Sequence, residues 1–74
     1  MEYDYSKLLG RIREKCGGQI EFARKMGVSE RTISLKLNNK IPWKQPEMTK
    51  AAQILDFSTD EIQSYFFAFK VQED

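Results

Sequence analysis

The chain has 74 residues, one cysteine, no histidine, a hydrophobic content of 41% and a formal net charge of +1. That apolar content supplies one core and excludes a disordered tail, although a domain this small buries only about 60% of its unfolded surface. Lone Cys16 cannot form an internal disulfide, and without histidine there is no Cys–His pair for catalysis or zinc. The start, Met1 to Tyr5, lacks the basic patch and apolar run of a signal peptide, and no apolar run approaches membrane-spanning length. The expectation is a single cytoplasmic domain over residues 1–74, not an enzyme, with no metal, cofactor, membrane or small-molecule substrate.

Five short helices are predicted, and apolar pairs that staple the chain across an N-cap mark four of their starts. Tyr3 and Leu8 flank Asp4 and open a helix over roughly 5–15, with Leu8 and Ile12 on its buried face. The second, over about 19–26, buries Phe22, Ala23 and Met26. Gly27 supplies the positive φ that ends it, and Val28 and Ile33 flank Ser29, the cap of a third helix over about 30–37 that buries Ile33 and Leu37. Trp43 and Met48 flank Lys44, and Pro46 tolerates the first turn of a helix over about 45–56 carrying Met48, Ala51, Ala52 and Leu55. Phe57 and Ile62 flank Ser58, and Ser58-Thr59-Asp60-Glu61 is a capping box for a last helix over about 59–69 with Ile62 and Phe66 inside. Stripes at three- and four-residue spacing bury against one another, so the fold class is all-α and compact.

The net charge conceals an uneven distribution: residues 1–10 carry −1, 11–40 carry +5 and 41–74 carry −3. A basic middle third is the footprint of phosphate binding, and equally of a solvated helical face. Within it, the second and third helices are separated by only about three residues, and small Ala23 allows them to cross closely. This is the chemistry of a helix-turn-helix, shared with ordinary αα-corners. At about 100° per residue, burying Ile33 and Leu37 turns Arg31, Ser34, Leu35 and Asn38 outward, with Glu30 at the exposed N-terminal end. Such side chains suit base edges: Arg donates twice to guanine, Glu accepts from cytosine, Ser reads either, and an exposed Leu meets a thymine methyl.

Over about residues 6–68 the sequence resembles the Cro and repressor proteins of bacteriophages, within the larger Xre-like group. The resemblance rests on Gln19, Phe22-Ala23, Met26-Gly27-Val28-Ser29, Thr32-Ile33-Ser34, Asn38-Asn39-Lys40, Ala51, Leu55 and Phe57-Ser58-Thr59-Asp60-Glu61-Ile62. It implies a five-helix, lambda-repressor-like DNA-binding domain whose third helix lies in the major groove of a palindromic double-stranded operator. Glu30, Arg31, Ser34 and Leu35 would then read bases, and Gln19, Asn38, Lys40 and Lys44 would contact phosphates. The implied role is a Cro-like, phage or prophage transcriptional repressor acting by operator occupancy at the host nucleoid. Two residues depart from the family pattern. Asn39 stands where Gly is usual, and Lys36 stands where an apolar residue is usually buried, so Leu37 is expected to take over that packing.

The segment 65–74 carries more aromatic area than so short a helix buries. In the resembling family such segments dimerise, which assigns Phe67, Phe69 and Val71 to a homodimer contact. The alternative is that Phe66 and Phe69 fold back onto Trp43 and Tyr5. A second functional class keeps the fold but makes the partner a protein: an antirepressor or adaptor with little DNA affinity that uses the aromatic tail.

Overall fold

The computed structural model describes residues 2–71, so residues 72–74 of the aromatic segment lie outside the described residues. The chain is all-helical: α1 spans Ser6–Cys16, α2 Gln19–Met26, α3 Glu30–Leu37, α4 Gln45–Ile54 and α5 Ile62–Phe66, with a 3₁₀ turn at Thr59–Glu61 before α5. The expected stripes meet in one core, where Leu8, Ile12, Phe22, Ile33, Leu55 and Phe66 are sealed from solvent. α2 packs against α1, α3 and α4, while α5 closes the domain against α1 and α4.

Local chemistry sets the boundaries. Asp4 accepts from the Ser6 amide at the start of α1. Gly27, at φ 78°, ends α2, and the following Val28 N–H returns to Ala23 O at 3.1 Å. Lys50 Nζ donates to the free Met26 carbonyl at 3.0 Å, so α4 helps to seal the end of α2. Ser29 Oγ accepts from Thr32 N at 3.1 Å and caps α3. Ser29→Ala is therefore expected to cost about 1 kcal/mol, read as a lower midpoint in a urea melt; an unchanged midpoint would mean water serves the Thr32 amide equally well.

Three sequence expectations are corrected. α4 ends at Ile54, with Leu55 as its C-cap and Asp56 turning away at φ 57°. The last helix is shorter than 59–69. It stops at Phe66, and the chain then runs back extended along the N-terminal arm, where Phe69 forms an isolated antiparallel bridge with Tyr3. Asp4 N donates to Ala68 O at 2.6 Å and Lys70 N to Glu2 O at 3.1 Å.

The third correction concerns α3. Leu37 is buried as expected, but Lys36 does not yield its place: it is also buried, at 5% exposure. Its stem occupies the apolar slot, and Nζ donates to Pro42 O at 2.9 Å and Glu47 Oε1 at 2.8 Å, with the Trp43 ring centroid 5.6 Å away. Glu47 also accepts from the Lys44 amide at 2.8 Å, capping α4 from inside the helix. Burial raises the Glu47 carboxyl, but the Lys36 ammonium and the Lys44 amide outweigh it and leave the group below its ordinary 4.5. One buried ion pair thus fastens α3 to α4.

Candidate functional site

Two surfaces compete for the role of functional site, the outward side of α2–α3 and the aromatic face built by the chain ends. On the first, the residues expected to read bases lie along one side of α3, at positions 30, 31, 34 and 35. Glu30 and Ser34 border a groove with Gln19, beside the 73%-exposed Ile20. Leu35 and Asn38 border a different groove, with Tyr5, Leu9 and Lys40. Arg31 is exposed and borders neither, and Leu35 is half-buried rather than free. Among the expected phosphate contacts, Gln19 is half-buried, Asn38 bonds back to Ser34 O at 2.7 Å, and Lys40 and Lys44 are exposed.

The basic middle third is also less available than its charge count implies. Arg11 is spent on Leu55 O at 2.8 Å and Asp56 O at 2.6 Å, and it pairs with Glu14. Arg24 pairs with Glu21, Lys15 lies 3.8 Å from Asp56, and Lys36 is buried. Four of the eight bases between residues 11 and 40 are engaged in this way. Glu21 and Glu30 meanwhile border the groove at the start of α2, where a phosphate would have to sit. Carboxylates there oppose an anion that the helix N-terminus would otherwise favour.

The second surface arises where α5 gives way to the extended tail. Phe66 turns inward and meets Trp43 edge-on with centroids 5.1 Å apart, and Tyr65 stacks on Phe57 at 4.0 Å. Phe67 and Phe69 remain outside, at 40% and 53% exposure, with Val71 beyond them. Here the fold-back expectation is half met: Phe66 packs on Trp43, whereas Phe69 stacks on Tyr3 at 5.2 Å. Tyr3 also takes the edge of Phe67 at 5.8 Å. Its backbone is held from the other side, because Tyr3 N donates to Asn39 Oδ1 and Asn39 Nδ2 donates to Tyr3 O, both at 3.0 Å.

Those two bonds account for Asn39. It adopts φ 61°, the left-handed conformation for which Gly is the usual residue and which Asn tolerates. A Gly would turn the chain equally well but could not grip the arm. Reading the sequence identified the exposed aromatic tail but missed Tyr3, Ile20 and Ile41. Two apolar residues left off every helical stripe, Ile20 and Ile41, were the available signal.

A family match now bears on both surfaces. The chain belongs to the family described as protein of unknown function (DUF739), whose model matches residues 1–69. This family member is similar to a solved structure, the solution structure of the modulator of repression (MOR) of the temperate bacteriophage TP901-1 from Lactococcus lactis. The two share 56% identity over 97% of each chain, with a TM-score of 0.81. No curated protein matches the DUF739 chain. Among its described residues, no helix is long and apolar enough to cross a membrane.

Proposed function

We propose that this chain is a phage regulatory protein that acts through a protein partner, a repressor, in the cytoplasm of a bacterial host. The observation that carries this reading is the similarity, at 56% identity over 97% of both chains, to a bacteriophage modulator of repression. Two features of the molecule support a protein over an operator as the partner. Half of the basic side chains between residues 11 and 40 are engaged in ion pairs within the chain, and the large aromatic side chains left outside lie together on the face formed by Tyr3, Phe67 and Phe69. Exposed aromatic clusters of this kind mark protein contacts. No reaction is assigned to the chain.

Direct operator binding by α3, as a Cro-like repressor, is the second reading. Arg31, Lys40 and Lys44 favour it, since all three are exposed and none makes an ion pair among the described residues. A homodimer through Phe67, Phe69 and Val71 would accompany that reading.

The experiment combines the chain, a repressor from the same phage and that repressor's operator duplex. The chain alone is expected to leave the duplex unshifted at micromolar concentration and to change the repressor's occupancy of it. Changing Phe67 and Phe69 together to Ala should weaken repressor capture at least tenfold, the scale of a central interface anchor, while moving stability little. A tight shift of the duplex by the chain alone, indifferent to the repressor, would restore the operator reading.

A further inference from the structure

Behind the exposed rings lies a cleft of about 310 Å³, between the N-terminal arm, the loop from α3 to α4, and α5. Tyr3 and Phe67 form its open walls above a floor of nearly buried Tyr5, Trp43 and Phe66, and Ile41, at 36% exposure, stands at its mouth. The space equals roughly ten water molecules at the volume each takes in the liquid, enough for one large side chain. Lys40 is the only charged residue on its lining; it is exposed and makes no ion pair or side-chain hydrogen bond among the described residues.

We infer that this cleft receives one bulky apolar side chain, Phe, Trp or Leu, from a protein partner that carries a carboxylate beside it for Lys40. The inference rests on the reading of the chain as a protein-binding module and names what that module takes. Tyr3, Phe67 and Ile41 supply apolar area on more than one side, which a flat surface would not and which is how central anchors of interfaces are held. A carboxylate carried beside that side chain answers the one cation at the rim. Asn39 is the positioning residue: it holds Tyr3 by both backbone polar groups, and Tyr3 is the wall of the cleft made by the arm. Cleft width therefore depends on Asn39, which lines the cleft and fixes its arm-side wall.

The test titrates two capped dipeptides, N-acetyl-Phe-Asp-amide and N-acetyl-Phe-Lys-amide, into the isotope-labelled full chain and follows amide shifts. The expected result is shifts confined to Tyr3, Tyr5, Ile41, Trp43 and Phe67, with the acidic peptide preferred about threefold, as befits an exposed charge pair. Lys40→Glu should reverse the preference, and Asn39→Gly should weaken both peptides and speed exchange of the Tyr3 amide while the α3 amides stay protected. Scattered shifts, or a preference unmoved by Lys40→Glu, would overturn the inference. Repressor capture is measured on the same variants. If capture survives both Lys40→Glu and Asn39→Gly, the cleft is not the anchor site even though the chain binds its partner; if wild type captures no repressor, the functional reading has failed first.

Discussion

Phe66→Ala is expected to cost about 3–5 kcal/mol, a large share of the stability available to a domain whose total is about 5–15 kcal/mol. Phe66 is 1% exposed and ties α5 to the rest of the core through Trp43, 5.1 Å away, and Phe57, 6.5 Å away. Alanine would leave a cavity under a five-residue helix with no length of its own to hold it. Urea unfolding followed by the fluorescence of Trp43 reads the effect directly, because the single tryptophan is the neighbour being vacated. Phe67→Ala is the control, one residue on but half exposed, and should cost well under about 1.5 kcal/mol. Similar losses for the two variants would mean that α5 does not pack as described.

Glu47→Ala should be nearly as damaging, at about 3 kcal/mol, the low end of the range for stranding a buried charge because Glu47 keeps 25% of its side-chain exposure. Removal of the carboxylate strands Lys36 in the core with only Pro42 O as an acceptor. Lys36→Met is the informative counterpart. It fills the same slot without a charge to solvate and should be neutral or stabilising by about 1 kcal/mol. The pH dependence has a definite sign. The folded carboxyl of Glu47 lies below its unfolded value of 4.5, so its contribution is fully present above that pH and is lost as pH falls through the folded value. Acid unfolding compared between wild type and Lys36→Met checks this, since the variant should lose less stability below pH 4.5. An identical acid limb in both would show that the pair does not govern it.

Much of the fold was legible because its signals are local. The residues around Ser29, Lys44 and Ser58 announce helix starts within five positions of themselves, and Gly27 announces its stop. The errors came where the deciding partner is distant in sequence. Phe66 and Phe69 sit three apart, a helical spacing, and only the arm 66 residues earlier explains why the helix ends and Phe69 goes to Tyr3. Lys36 reads as an intruder on a buried face until Glu47, on the next helix, is found beside it.

The candidate site was harder to read for the same reason. Counting Arg and Lys by segment measures charge but not its availability, and Arg11 and Lys36 are each consumed by contacts that only the fold reveals. α2, α3 and the short turn between them lie where their spacing predicts, yet that geometry does not distinguish reading an operator from binding a protein. Asn39 was noticed as a departure from Gly. Its purpose lies in the backbone of Tyr3, which no spacing rule connects to it.

The bridge between Tyr3 and Phe69 sets an order of events during biosynthesis. Synthesis runs from the N-terminus, so the arm and Asn39 leave the ribosome before Phe69 does, and the aromatic face is completed only once residues 68–70 have followed. A nascent chain would thus hold both halves of the Asn39–Tyr3 clasp before it held the ring that stacks on Tyr3.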